Sequence, residues 1–178
     1  MKQLDGTGMK RLHRDWRRRT EGRLGLVLDD VQGPFNVGAI IRTAAALRVD
    51  DVWLTGRTPE PDDTKVGKTA LGTQRYLTFH RVESSATAIT AARTAGYQVV
   101  AIELADGAVP LHELGLGGAT CLVVGHEDRG CSPATLDACD AVAYLPLLGK
   151  VGSLNVATAT SIACYEARRQ GWLATAPG

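Results

Sequence analysis

Leu145-Pro-Leu-Leu-Gly-Lys-Val-Gly-Ser-Leu-Asn155, continued by a run of small residues from Val156 to about Arg169, is the stretch whose reading decides the fold. A strand end, a glycine-rich polar loop and a helix start follow one another without a gap. The loop holds backbone amides, the Ser153 hydroxyl and the Asn155 carboxamide at a helix N-terminus. The first amides of a helix lack intrahelical partners, and the helix dipole favours negative charge there. The arrangement suits a polar or anionic ligand. A plainer reading makes Ser153 or Asn155 a helix cap that satisfies orphan amides; the two readings are compatible.

Outward from this loop, strands alternate with helices. Leu24–Leu28 reads as an apolar strand and Val37–Leu47 as a helix. Val52–Thr55 reads as a strand, 63–70 as a short helix and Tyr76–Val82 as a strand. Ser84 caps a helix that runs to Ala95 and is stopped by Gly96. Gln98–Leu104 is a strand, Ala105–Pro110 a loop and Cys121–Val124 a buried strand. Ser132-Pro133 pairs a capping residue with proline at the first helical position and predicts a helix to about Ala138. Ala141–Leu145 is the last strand. This order predicts an α/β fold with a mostly parallel sheet and helices on both faces.

A chain of 178 residues is long enough for one domain with a sizeable core, and 44% apolar and 22% charged residues are ordinary for a soluble protein. Net charge is only +1, but Lys10, Arg11, Arg14, Arg17, Arg18, Arg19 and Arg23 face only Asp15 and Glu21 in their segment. A basic helix over roughly 8–23, added in front of the α/β domain, is expected. No apolar run is long enough to cross a bilayer and no apolar signal core is present. Cys121, Cys131, Cys139 and Cys164 are widely spaced, so neither a zinc site nor a disulfide framework is expected.

Three segments could carry chemistry. In Asn36-Val-Gly-Ala-Ile-Ile-Arg42-Thr, the residues Val37, Ile40, Ile41, Ala44 and Leu47 form an apolar stripe. Arg42 points the other way, among Gly38, Ala45 and Ala46, where a guanidinium can meet a phosphate; the alternative is a solvated surface arginine. Gly125-His-Glu-Asp-Arg-Gly130 follows a buried strand, the place where α/β folds bind ligands. Its glycines let backbone approach a ligand, and Glu127 accepts hydrogen bonds from a bound group or fixes the loop; the alternative is a polar turn into the Ser132 cap. The third segment is the loop at 145–155. All three follow strand ends and precede helices, so they can converge on one edge of the sheet. Trp16, beside Arg17-Arg18-Arg19, either stacks on a base or packs its own helix down, and packing is the simpler reading.

In this order, the three segments resemble the signature motifs of the SPOUT superfamily, and within it the SpoU/TrmH class of RNA ribose 2′-O-methyltransferases. Asn36–Thr43 resembles the first motif, Gly125–Gly130 the second and Leu145–Val156 the third. The pattern Pro-x-x-Gly-x-x-x-Ser-Leu-Asn-Val, followed by Tyr-Glu-Ala-x-Arg-Gln, is the most specific part, and the resemblance runs from about Leu24 to Gln170.

The resemblance implies a deep trefoil knot in the C-terminal third, S-adenosylmethionine as methyl donor, a homodimer and a cytoplasmic RNA substrate, with no membrane. It divides the chain into a basic extension over 1–22 and a methyltransferase domain over 23–178. Arg42 would be the catalytic arginine, oriented by Asn36, with Glu127, Ser153 and Asn155 completing the polar site. Ile102, Glu103, Leu104, Gly125, His126, Gly130, Leu145, Leu147, Ser153 and Leu154 would line the cofactor pocket. RNA would meet Arg42 and the basic side chains Arg11, Arg14, Arg17, Arg18 and Arg19. No metal is implied. After the third motif, the small-residue stripe Val156, Ala159, Ala163 and Ala167 fits a close dimer interface.

A ribose hydroxyl must lose its proton near attack on the methyl group. Arginine normally stays protonated, so Arg42 is either a base whose proton the RNA phosphate helps remove or a clamp on that phosphate. Transfer RNA is the expected substrate, because the basic segment stands in place of a sizeable RNA-binding domain. Ribosomal RNA is the alternative, and a catalytically silent RNA-binding protein a second one. An ordinary nucleotide-binding α/β protein is disfavoured, because no glycine-rich fingerprint follows Leu24–Leu28.

Overall fold

Seven strands form one sheet in the order β3-β2-β1-β6-β4-β7-β5, every pairing parallel, in the computed structural model, which describes residues 2–174. The strands are β1 Leu24–Leu28, β2 Asp51–Leu54, β3 Thr78–Arg81, β4 Gln98–Ile102, β5 Val109–Pro110, β6 Thr120–Val124 and β7 Ala141–Tyr144. The helices are α1 Gly6–Arg18, α2 Pro34–Ala46, α3 Thr64–Ala70, α4 Ser85–Thr94, α5 Pro133–Ala138 and α6 Val156–Ala174. The domain expected to reach Gly178 thus ends outside the described residues.

The central strands β1 and β6 are buried along their whole length, as parallel strands covered on both faces must be. One face, around Leu26, Leu122 and Val100, packs against Val37, Ile40, Ile41 and Ala44 of α2, Val66 of α3, and Ala163 and Ala167 of α6. The other, around Val27, Val99 and Val123, packs against Ala88, Ile89 and Ala92 of α4. The apolar stripe expected on α2 is therefore the surface that docks this helix on the sheet.

Local signals explain most boundaries. The Ser132 side chain accepts from the Thr135 amide at 3.1 Å, with Pro133 at the first turn of α5. Ser84 caps α4, and Gly96, at φ +85°, ends it. Several boundaries differ from expectation: α2 begins at Pro34 rather than Val37, and the basic helix α1 ends at Arg18 rather than near 23. The strand expected over Tyr76–Val82 begins only at Thr78, because Thr73–Tyr76 coils into a 3-10 turn. The strand expected to reach Leu104 ends at Ile102, with a last bond from the Glu103 amide to the Ala143 carbonyl at 2.9 Å. Val109–Pro110, expected as loop, is a two-residue edge strand on β7.

The stripe Val156, Ala159, Ala163 and Ala167 does not form one outer face: Val156 and Ala159 are partly exposed, and its other half is buried. Ala163 is fully buried and Ala167 5% exposed within the chain's own core. Ile162 and Tyr165 point outward instead. Gly38 is likewise not on an open face beside Arg42: α3 crosses so closely that a Cβ there would lie 2.4 Å from the Val66 carbonyl oxygen.

The basic helix α1 contributes no buried residue to the core. It is tied down at its end by Trp16, whose ring lies 4.8 Å from that of Trp172 on α6. The Trp172 indole donates to the Thr20 hydroxyl at 2.8 Å. Trp16 therefore packs its helix onto α6.

Candidate functional site

In a parallel sheet all carboxyl ends lie on one edge, and ligands of open α/β sheets bind there. The segments after β1, β4, β6 and β7 meet at that edge. A cavity of about 300 Å³ opens between them, within the size range of small-molecule sites. All ten residues expected to hold a cofactor line it, from Ile102, Glu103 and Leu104 after β4 to Ser153 and Leu154 before α6. Tyr144, Asp128, Arg129, Val156 and Ala159 also line it, and sequence reading did not single them out for it.

The polar frame beside the cavity is built by three side chains. Glu127, after β6, accepts from the backbone amides of Gln32 at 3.1 Å and Gly33 at 2.7 Å, and from the Asn36 side chain at 3.0 Å. It therefore takes up amides at the start of α2, a helix whose own N-cap residue, Gly33, has no side chain to do so. Asn36 Oδ1 in turn accepts from Asn155 Nδ2 at 2.9 Å. Asn155 Oδ1 accepts from the amides of Ala157 and Thr158 and so caps α6. One hydrogen-bonded line thus joins the segments at 125–130, 36–43 and 145–156.

Partial burial pushes the Glu127 carboxyl up. The hydrogen bonds from Asn36 and from the amides of Gly33 and Gln32 outweigh that and hold it below its ordinary value. Glu127 is thus a fixed anion that organises the loop.

Several expectations need correction. Asn36 makes no hydrogen bond to Arg42; both polar atoms of its side chain are committed to Glu127 and Asn155. Ser153 does not cap α6: its exposed side chain lines the cavity, makes no hydrogen bond among the described residues, and leaves the cap to Asn155. Gly125 and Gly130 are required by the loop itself. A Cβ on Gly125 would lie 2.3 Å from the Gly130 carbonyl carbon, and one on Gly130, at φ +64°, 2.1 Å from the Glu103 carboxylate. Glu103 lines the cavity but also accepts from the Cys131 amide at 3.0 Å, fastening that loop to β4.

Arg42 stands six residues beyond Asn36 on α2, about 9 Å further along the helix axis. Its side chain is exposed, lies outside the cavity lining, and has no hydrogen-bond or ion-pair partner among the described residues. The neighbouring Thr43 hydroxyl meets the Ser161 hydroxyl of α6 at 2.9 Å, so the helix that carries Arg42 is fixed against the helix that Asn155 caps. Arg168 completes this brace: buried on α6, it donates to the carbonyls of Leu47, Arg48 and Gly22. Sequence reading missed both contacts, since the partners are far apart in the chain. Arg11, Arg14, Arg17, Arg18 and Arg19 are all exposed on or just beyond α1.

The SpoU rRNA Methylase family matches residues 23–165 of this chain, a span that contains all three segments. The chain belongs to the SpoU rRNA methylase family. A tRNA/rRNA methyltransferase of Synechocystis, itself uncharacterised, is 36% identical over 88% of this SpoU chain and 57% of its own length. The tRNA (guanosine(18)-2′-O)-methyltransferase of Escherichia coli is 31% identical over 85% of the chain and 66% of its own. The structure of an AdoMet-bound rRNA methyltransferase from Sinorhizobium meliloti superposes with a TM-score of 0.78 at 33% identity, covering 84% of this chain and 57% of that one. The SpoU chain described here thus spans a little over half to two-thirds of the length of these relatives.

Proposed function

We propose that the protein transfers a methyl group from S-adenosylmethionine to a ribose 2′-hydroxyl of RNA, with transfer RNA as the first substrate to test. One observation carries this reading. Asn36 joins Glu127 to Asn155, so three separate segments are locked beside a nucleoside-sized cavity, with an unpartnered arginine on the same helix. The relative named for tRNA 2′-O-methylation and the AdoMet-bound rRNA methyltransferase support the chemistry.

The cavity residues fit such a cofactor. Ile102, Leu145, Leu147 and Leu154 offer apolar contact, the loops at 103–104 and 125–130 offer backbone polar groups, and the Ser153 hydroxyl has no partner among the described residues. When bound, the cofactor supplies an electrophilic methyl on a sulfonium. Glu127 is saturated with donors and held ionised, so it shapes the site and neither gives nor takes a proton. Asn36 and Asn155 are positioning residues. Arg42 is the residue that meets the RNA. With no carboxylate beside it to accept its proton, it acts as a clamp on the phosphate next to the target ribose, placing the hydroxyl in line with the methyl carbon. The hydroxyl proton passes to that phosphate or to water.

Residues 1–22 form a basic extension whose helix α1, with Arg11, Arg14, Arg17, Arg18 and Arg19, adds affinity for RNA. The domain from residue 23 onward carries the deep knot. Insertion of β6 between β1 and β4, and then of β7 between β4 and β5, supports that reading. A homodimer pairs the outward faces of α2 and α6 around Phe35 and Ile162, which are 54% and 43% exposed. Among the described residues no helix is long and apolar enough to cross a membrane, and the reading places the reaction on cytoplasmic RNA.

The test is incubation of the purified protein with total RNA and cofactor labelled on the methyl group, followed by nuclease mapping. Label in a ribose-methylated nucleotide of tRNA is expected. Label in rRNA alone would move the substrate, and label on a base or no label would remove the assignment.

A further inference from the structure

A second concavity, of about 1010 Å³, lies between α1, the C-terminal end of α2 and the outer part of α6. Its lining is basic and aromatic. Lys10, His13 and Arg17 line it from one face of α1, at three- and four-residue spacing, and Arg48 lines it just beyond α2. No carboxylate is among its lining residues. The side chains of Lys10, His13 and Arg17 enter no hydrogen bond or ion pair among the described residues. Tyr76 offers an open ring, 65% exposed, braced by Arg75, whose guanidinium lies 4.8 Å from the ring centroid and donates to the hydroxyl at 2.7 Å.

The groove shares α2 with the proposed active site. Ala45 and Ala46 line it, three and four residues beyond Arg42, a rise of only about 6 Å along α2.

We infer that this groove is the track for a single-stranded segment of the RNA substrate. Lys10, Arg17 and Arg48 lie along its phosphates, and an unpaired base stacks on Tyr76. The inference rests on the methyltransferase reading above and sharpens it. α1 meets RNA through its Lys10–His13–Arg17 face, which lines the groove, rather than through the neighbouring stripe Arg11, Arg14 and Arg18, which does not. Cationic grooves with aromatic platforms are the physical signature of single-strand binding, because every unstacked base has a π-face and every nucleotide a phosphate. A second copy of this chain is a poorer occupant. It would bury several cations for which the groove holds no counter-charge.

The full-length protein is titrated with a short fluorescein-labelled oligouridylate and with unfractionated tRNA across a series of salt concentrations. The groove triple variant Lys10→Ala/Arg17→Ala/Arg48→Ala is expected to bind both more weakly and to flatten the salt slope by roughly two, at about 0.7 per lost single-strand phosphate contact. The control triple variant Arg11→Ala/Arg14→Ala/Arg18→Ala, outside the groove lining, removes the same formal charge and is expected to lose less affinity. Tyr76→Ala should cost on the order of tenfold in oligouridylate affinity, and Tyr76→Phe should restore it. Cofactor affinity, unchanged in every variant, reports that the fold is intact.

Equal losses from the two triple variants, or no loss from Tyr76→Ala, would overturn the groove assignment while leaving the methyltransferase reading in place. Dissociation of a dimer by the groove variant, seen in light scattering, would overturn it in favour of a second copy. A wild-type protein that binds the cofactor but neither RNA removes the methyltransferase reading and this inference together.

Discussion

The Asn155 carboxamide grips Asn36, 119 residues earlier in the chain, with its Nδ2 at 2.9 Å, while its Oδ1 caps α6 through the Ala157 amide at 2.9 Å. One planar group therefore sets the direction of α6 and the position of the helix that carries Arg42. Asn155→Ala should remove the cap, worth about 1 kcal/mol, and lower transfer by more than that loss of stability explains. Asn155→Asp keeps the acceptor and removes the donor. It should melt near the wild-type temperature yet transfer poorly, which calorimetry and single-turnover methylation will separate.

Arg42 has no side-chain partner to lose among the described residues, so its removal should leave the fold untouched. Arg42→Ala is expected to abolish nearly all methyl transfer while its cofactor affinity, measured by titration calorimetry, stays at the wild-type value. Near-normal turnover in that variant would sink the role given to this residue.

Glu127 carries a pH signature. Its carboxyl is held below the ordinary value of 4.5 by its three donors despite partial burial, so it stabilises the folded state at every pH above that value. The contribution disappears as pH falls below 4.5 through the depressed folded value. Unfolding midpoints in urea should show a steeper acid limb for the wild type than for Glu127→Gln. The two curves should converge at low pH, where both side chains are neutral.

Arg168 is 5% exposed and donates to the carbonyls of Leu47, Arg48 and Gly22. Arg168→Met should leave those acceptors without partners and lower stability by about 3 kcal/mol or more. The unfolding midpoint in urea checks this, and Arg168→Lys should recover only part of the loss, since an ammonium cannot span three carbonyls in one plane.

Much of the fold was legible because short-range physics dictates it. Apolar runs such as Leu24–Leu28, bounded by turn residues, mark buried parallel strands, and Ser132-Pro133 marks a helix start wherever it is found. Val109–Pro110 was invisible because a two-residue edge strand has no periodicity to read. The stripe Val156–Ala159–Ala163–Ala167 was legible as one face of a helix. Its covering was not, because spacing says which residues share a face and nothing about what packs on it. Here the chain's own sheet does.

The candidate site divides along the same line. The residue types at Asn36, Glu127, Ser153 and Asn155, each near a strand end or helix start, with Arg42 further along the helix that Asn36 opens, already pointed to one edge of a sheet. Which of them bond to one another was decided only by the tertiary structure. A carboxamide or carboxylate can serve a cap, a loop or a ligand equally well, and the choice depends on which donors the fold brings within about 3 Å. Folding assigned Glu127 to the start of α2, made Asn36 the bridge and gave the α6 cap to Asn155 alone. It left the side chains of Ser153 and Arg42 without partners among the described residues, and it turned one face of α1 toward a groove that no local pattern could announce, because its other walls come from residues dozens of positions away.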